Sequence, residues 1–260
     1  MEGPDTLFSI AGKVALVTGG SSGIGAMIAR GLVQRGVRTY ITARDALRAA
    51  DAAQELAASN GDCIGLAADF AAEGAVVRLA TELAEREERL HLLVNNAGAN
   101  AAGSLADMSE ADWDLVLGVN TKAAFFLVRE VLPLLRAGAT TRDPARVVNV
   151  GSIGGLHVPA WEAHAYGASK AALHHLTRSL AKALGKDNIT VNAIAPGPFP
   201  SRLTDTASEA VQNSVATHIP LQRPGEPEDV EGAVVFLASR AGAYVNGHTI
   251  PLDGGYVAAL

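Results

Sequence analysis

Short apolar runs alternate with helix-patterned stretches along almost the whole chain, and this alternation limits the fold more than any other feature. Val14–Val17 is followed by a glycine-rich turn and a helical pattern over Ile24–Arg35. Thr39–Thr42 leads into Ala46–Ala58, and Cys63–Leu66 into Ala75–Glu87. Leu92–Val94, Val147–Val150, Thr190–Ile194 and Thr249–Leu252 read as later strands. Strands separated by helices predict right-handed crossovers and a parallel sheet covered on both faces. No composition break, long linker or repeat interrupts the 260 residues. The expected architecture is therefore a doubly wound α/β fold in one domain, 1–260.

Local signals refine the map. Ser109 precedes acidic Glu110 and Asp112, as at a helix start. Pro133 sits late in a helical pattern and should kink it or lie near its end. Pro224 and Pro227 mark a turn before a helix over Asp229–Ser239, and the three prolines of 196–200 predict a shaped loop.

Composition excludes several classes. Hydrophobic residues make up 48%, enough for a large core, while aromatics are 5%, so that core relies on close packing of small residues. The net charge is −6 without a basic run, which argues against nucleic acid. A lone cysteine, Cys63, permits no intrachain disulfide and reads as a small buried hydrophobe. Residues Met1 to Gly12 lack the pattern of a secretory leader, and no apolar run approaches the ~20 residues of a membrane span. A cytoplasmic protein is expected, with no membrane partner. The seven histidines show no metal-ligand spacing, so no metal is expected.

The turn after the first run reads Thr18-Gly19-Gly20-Ser21-Ser22-Gly23-Ile24-Gly25. Glycines after a strand let the backbone approach a pyrophosphate, and the following helix offers free N–H groups and a positive dipole end. The spacing departs from G-x-G-x-x-G. The second strand ends Ala43-Arg44 rather than in the acidic residue that accepts from an NAD ribose. Arg44 suits a 2′-phosphate, so NADP is expected over NAD. Ser22 supplies no second basic group there. Downstream, Tyr166 and Lys170 stand at i, i+4, on one face of a helix. An ammonium so placed should draw the phenol pKa down toward the working range.

Together these motifs resemble the short-chain dehydrogenase/reductase family over essentially the whole chain, and the resemblance makes the doubly wound sheet a Rossmann fold. T-G-x-x-x-G-I-G at 18–25, Asn95-Asn96-Ala97-Gly98, Ser152 fourteen positions before Tyr166, Pro196-Gly197 and Asp253-Gly254-Gly255 carry it. The resemblance implies a tetrad of Ser152, Tyr166, Lys170 and Asn120. Tyr166 would give a proton to a carbonyl oxygen, Ser152 would hydrogen-bond the same oxygen, Lys170 would hold the nicotinamide ribose, and Asn120 would anchor a water. It also implies that the cofactor meets Gly19, Ser21, Ser22, Gly23, Ile24, Gly25, Arg44, Asp69, Phe70, Asn96, Ala97, Gly98, Tyr166, Lys170, Pro196, Gly197, Phe199 and Ser201. Asp69 reads equally well as a helix cap.

The substrate pocket should be framed by 99–104, 153–165 and 198–219, the last a loop or lid. Its lining, with Leu156, His157, Val158, Trp161, Phe199 and Leu203, looks apolar. Phe8-Ser9-Ile10-Ala11-Gly12, Ala43-Arg44-Asp45 and Pro196-Gly197-Pro198-Phe199-Pro200-Ser201 are similar to bacterial NADPH-dependent 3-oxoacyl reductases of the rhamnolipid-pathway type. That likeness implies a carrier-bound acyl substrate, with Arg129, Lys182 and Lys186 as candidates for meeting an acidic carrier, and a homotetramer. The alternatives are an alcohol, sugar or steroid dehydrogenase with the same tetrad, or a non-catalytic nucleotide sensor.

Overall fold

The computed structural model describes residues 4–58, 61–101, 103–158, 162–200, 206 and 208–259. All seven expected strands form: β1 (Val14–Val17), β2 (Arg38–Ala43), β3 (Cys63–Ala67), β4 (Leu92–Asn95), β5 (Ala145–Val150), β6 (Ile189–Pro196) and β7 (Thr249–Leu252). They make one sheet in the order β3-β2-β1-β4-β5-β6-β7, with every neighbouring pair parallel. β1, β4, β5 and β6 are buried at every residue, which is why they read as continuous apolar runs rather than as alternating ones.

Helices cover both faces, as in a doubly wound Rossmann fold. Ala15, Val17, Ile41 and Val94 point to one face and meet α1 (Gly23–Val33), α2 (Ala46–Ala57) and α9 (Pro227–Ala238) through Ile28, Leu32, Ala53, Val230 and Val234. Val14, Leu16, Tyr40 and Leu93 point to the other. There they meet α3 (Ala75–Arg86), α5 (Ala123–Glu130), α6 (Leu132–Gly138) and α7 (His164–Leu184) through Leu79, Leu83, Leu127, Leu135 and Leu180. The period-2 alternation of each strand thus divides one sheet between two cores. α4 (Glu110–Leu117) precedes α5, and α8 (Glu209–His218) lies between β6 and α9.

Several boundaries differ from the sequence reading for local reasons. The kink expected at Pro133 takes the form of a break that splits the helical stretch into α5 and α6. The chain breaks at Val131 (φ −89°, ψ 5°), and Pro133 sits in the first turn of α6, where a missing N–H costs little. α9 starts at Pro227 rather than Asp229, closed by reciprocal bonds between Glu226 and Asp229. The 198–219 segment, expected as a loop, contains α8. Asp45 and Ser109 cap α2 and α4, accepting from the N–H groups of Arg48 and Asp112.

A buried cationic pair ties the sheet to α9. Arg146, 1% exposed, donates to the carbonyls of Leu237 and Ser239 at 2.9 and 2.7 Å. Lys13 donates to that of Ala238 at 3.0 Å, and Asp143 neutralises both at 2.7 and 3.1 Å. Cations belong at this end of a helix, where carbonyls lack partners and the dipole is negative.

Because the strands are parallel, their carboxyl ends share one edge. The strand order reverses between β1 and β4, so the loops leaving these two strands part and open a crevice. Every motif singled out in the sequence from Thr18 to Gly197 lies at this edge or on the elements that leave it.

Candidate active site

The glycine turn is held as a rigid cradle. Gly19 (φ +65°) and Gly23 (φ +54°) occupy backbone conformations that suit glycine. A methyl on Gly25 would overlap the Asn96 amide and the Gly19 carbonyl, and one on Gly20 would lie 2.7 Å from Ile41. Thr18 Oγ1 accepts from the N–H groups of Asn96 and Ala97 at 2.9 and 3.0 Å. Asn96 Nδ2 donates back to the carbonyls of Thr18 and Gly19 at 2.8 and 3.2 Å. The Gly19 N–H donates to Thr42 Oγ1 at 3.0 Å. The side chain of Asn96 thus shapes the turn. Ser21 and Ser22 are partly exposed, and Ile24 packs partly against the core. Ser22 precedes α1 in extended conformation and makes no side-chain cap. The first turn of α1 therefore keeps N–H groups free of a side-chain acceptor at the positive end of the helix. An anion such as a pyrophosphate fits this cradle.

At the end of β2, Ala43 is buried and Arg44 is exposed. Asp45 is engaged as the α2 cap at 2.9 Å, so its carboxylate is directed to the helix. Asp69 is exposed and does not cap a helix. Its carboxylate accepts from the Ala71 N–H at 3.1 Å within a turn, and α3 is preceded by Gly74 instead. Phe70 packs partly against the core and lines a narrow gap with Thr18, Asn95, Ala97 and Asn120.

Ser152, Tyr166, Lys170 and Asn120 converge beside Gly98. Ser152 follows β5 in extended conformation, and its Oγ accepts from the Gly154 N–H at 3.0 Å. A side-chain hydrogen bond joins it to Tyr166. Lys170 is one turn further along α7, buried, its Nζ 5.7 Å from the centre of the Tyr166 ring and donating to the Val150 carbonyl at 2.8 Å. Asn120, 2% exposed, lies in a single π-helical turn, Gly118–Lys122, between α4 and α5. Such turns reorient the backbone inside a helix and are frequent at functional sites. Asn120 Oδ1 accepts from the Ala99 N–H at 2.7 Å, while its Nδ2 donates to the Ala99 carbonyl and to Ser169 Oγ at 3.0 and 2.9 Å. Both N–H groups of its amide are thus engaged in stitching the loop after β4 to α7, while Oδ1 keeps one lone pair. A methyl on Gly98 would come within 3.3 Å of Asn120 Oδ1 and 3.9 Å of Lys170 Nζ, so glycine keeps that space open.

The electrostatics correct one expectation. The Tyr166 phenol is raised above its ordinary value, because burial disfavours tyrosinate and outweighs the Ser152 hydrogen bond that favours it. Burial also pulls Lys170 down to about 8. The nearby ammonium was expected to draw the phenol down, but the same burial disfavours both charged forms.

Pro196 ends β6, and the Gly197 N–H donates to the Leu252 carbonyl at 2.9 Å. A methyl on Gly197 would lie 3.0 Å from the Asp253 backbone. Phe199 packs into the core and also borders a cavity formed with Pro198, Ile219, Leu221 and Leu252. Its ring is 2% exposed, in the core, against Gly225. Ser201, Trp161 and Leu203 lie outside the described residues. Leu156 and Val158 are exposed. His157 Nδ1 donates to the Val158 carbonyl at 2.9 Å, and its ring packs on Tyr256, with ring centres 5.0 Å apart. The carrier candidates Arg129, Lys182 and Lys186 are exposed on helix surfaces. Arg129 is paired with Glu130 and stacked on Phe126. Lys182 lies sixteen residues along α7 from Tyr166, about 24 Å at helical rise. Among the described residues no group of His, Cys, Asp or Glu could hold a metal ion, and no helix is long and apolar enough to cross a membrane.

Three positioning features carried no signal in the sequence reading. The Thr18 lock and the π turn depend on partners 78 residues or more distant, or on helix register. The third is a ladder across the sheet in which Asn95 Nδ2 donates to Asn149 Oδ1 and Asn149 Nδ2 to Thr177 Oγ1, both at 2.9 Å.

Comparison with known proteins agrees with this geometry. Residues 19–257 match the enoyl-(acyl carrier protein) reductase family of short-chain dehydrogenases. The rhamnolipids biosynthesis 3-oxoacyl-[acyl-carrier-protein] reductase of Pseudomonas aeruginosa is 46% identical over 96% of this chain and 98% of its own length. The 2-dehydro-3-deoxy-D-gluconate 5-dehydrogenase of Escherichia coli is 34% identical over 96% of this chain and 98% of its own. The solved RhlG/NADP active-site complex of Pseudomonas aeruginosa superposes with a TM-score of 0.92 at 45% identity, covering 97% of this chain and 99% of that one. The chain is an oxidoreductase that belongs to the short-chain dehydrogenase/reductase family.

Proposed function

We propose that this protein uses NADPH to reduce the ketone of a 3-oxoacyl thioester to the alcohol. One observation carries the chemistry: a tyrosine hydroxyl bonded to a serine, over a buried lysine, stands beside a glycine cradle suited to a pyrophosphate. The 3-oxoacyl relative and the NADP-bound neighbour support the choice of substrate and cofactor.

The pyrophosphate would rest on Gly19, Ser21, Ser22, Gly23, Ile24 and Gly25. Arg44 would take the 2′-phosphate, Asp69 and Phe70 the adenine side, and Ala97 and Gly98 the adjoining ribose, with Asn96 shaping the cradle. Lys170 would hold the nicotinamide ribose, and Pro196, Gly197 and the backbones of Phe199 and Ser201 would flank the nicotinamide. When bound, NADPH supplies a hydride to the carbonyl carbon. Tyr166 gives its proton to the carbonyl oxygen, and Ser152 hydrogen-bonds that oxygen as charge develops on it. The raised phenol pKa keeps the donor protonated. The Lys170 charge eases proton departure by stabilising the tyrosinate left behind. Asn120 fixes the Ala99 loop and the backbone of α7 at this point and would anchor a water beside Lys170.

The test is NADPH oxidation with a 3-oxoacyl thioester and with a simple ketone, compared with NADP+ reduction by 2-dehydro-3-deoxygluconate, whose C5 hydroxyl a sugar dehydrogenase would oxidise. Turnover of the thioester at least about tenfold faster, in kcat/KM, is expected, a modest discrimination for an apolar pocket. A preference for the sugar acid would move the assignment to a sugar dehydrogenase.

The pH dependence follows from Lys170. Its charge is favourable to the reaction and is lost as pH rises through about 8. The kcat/KM for reduction, which reports the free enzyme, should therefore fall above about pH 8. Lys170→Met should lower kcat/KM and abolish that limb. A flat profile to pH 9.5 in the wild type would remove Lys170 from the titrating role.

Trp113, Leu115 and Phe125 on α4 and α5 are exposed large apolar groups. They support assembly through these helices into a homotetramer. The segment 198–219, with α8, is assigned as the substrate lid, and the single free cysteine suits work in the cytoplasm.

A further inference from the structure

Three residues on one face of α7, Lys170, His174 and Thr177, meet the end of β5. Lys170 bonds the Val150 carbonyl at 2.8 Å and Thr177 the Asn149 amide at 2.9 Å. His174, between them, is 5% exposed, and neither ring nitrogen makes a hydrogen bond of normal geometry, the Gly155 backbone offering only a poorly aligned one. Its ring fills space left by the two glycines that bracket the Ser152 turn. A methyl on Gly151 would overlap Nε2, and one on Gly155 would come within 3.0 Å of Cε1. Gly151 is anchored by its N–H to the Ile194 carbonyl at 2.8 Å. The turn therefore cannot sink toward α7 without meeting the imidazole.

We propose that His174 is a positioning residue: a flat, uncharged wedge that sets the distance between the Ser152 turn and the Tyr166–Lys170 face of α7. A flat ring lets backbone approach closely on both sides, which a branched aliphatic does not. Neutrality matters because Lys170 lies one helical turn away. Burial first, then the charges of Lys170 and Arg178, hold the imidazole down to about 4 against the opposing pull of the Gly155 backbone. Lys170 is thus the cation of this site below about pH 8.

The assignment rests on the reductase reading for its kinetic consequence, but it has a readout that does not. In His174→Ala, backbone amide exchange over 151–155 should quicken, while exchange over 19–25 stays as in the wild type. In the same variant kcat should fall at least about tenfold, as expected when a reacting group is displaced by a fraction of an ångström. The NADPH Kd should stay within about twofold, since the cradle is remote from the change. Unchanged exchange over 151–155 overturns the wedge whether or not the wild type reduces a ketone. Inactivity of the wild type with every ketone would instead count against the reductase reading alone. His174→Gln keeps a planar end without a titrating ring, so it should retain at least about a third of kcat, and the fall in kcat/KM above about pH 8 should not move. A shift of that limb by more than about half a pH unit would make His174 a titrating group and overturn the proposal. If alanine prevents folding, His174→Leu is read by the same exchange criterion, because it preserves volume without the flat ring.

Discussion

Replacing Tyr166 by phenylalanine should lower kcat for carbonyl reduction by about a thousandfold while NADPH affinity changes by less than about twofold. The substitution removes one hydroxyl and keeps the ring, so the packing at the start of α7 is preserved. Proton donation by a placed acid contributes about 10²–10⁴ in rate, and a thousandfold corresponds to about 4 kcal/mol of transition-state stabilisation. The Ser152 hydroxyl remains to bond the carbonyl oxygen, but it has no adjacent group poised to resupply its proton. Steady-state kinetics with a fluorescence titration of NADPH separates chemistry from binding. A variant that keeps more than a tenth of wild-type kcat would show that another acid serves the reaction. Loss of NADPH binding in step with kcat would mean that the hydroxyl organises the cradle rather than the chemistry.

Replacing Arg44 by aspartate should weaken NADPH binding at least about a hundredfold and leave NADH within about threefold. Arg44 is exposed at the carboxyl end of β2. Its acidic neighbour, Asp45, is committed to the Arg48 N–H as the α2 cap. The guanidinium is thus available to a phosphate, and a charge-assisted bond of this kind is worth about 1.5–3 kcal/mol. Aspartate removes that bond and adds repulsion to the 2′-phosphate, which is larger at low ionic strength. The ribose of NADH carries a hydroxyl there, which aspartate accepts from. Equal weakening of both nucleotides would place the effect in the cradle, and no change in either would make Arg44 an ordinary surface charge.

The fold was legible because it depends on patterns that short windows carry. β1, β4, β5 and β6 are buried on both faces, so each reads as an apolar run, and the helices between them read at their own period. The glycine turn and the Tyr166–Lys170 spacing were legible for the same reason, each lying within one local element. The core packing of Phe199 was not legible, because an aromatic after a proline-glycine turn looks the same from sequence whether it lines a pocket or fills a core. The space beside Gly225, 26 residues away, decided it. The surroundings of Arg129 and Lys182 were not legible, because an ion pair and the length of a helix, not charge alone, set what each can reach.

By itself, then, the sequence determined the strands, the helices, the parallel sheet and the positions where chemistry-bearing residues would stand. These are consequences of periodicity, glycine freedom and side-chain type, which act over a few residues. Only the tertiary structure decided how those residues are held and charged. Thr18 locks to Asn96 and Ala97 across 78 and 79 positions, and Asn120 spends its amide on Ala99 and Ser169. Tyr166 is pushed up rather than down, and His174 is neutral beneath the Ser152 turn. The physical reason is the same in each case: hydrogen-bond partners and desolvation are set by packing between segments distant in sequence, and a pKa follows the surroundings rather than the spacing of two residues on a helix.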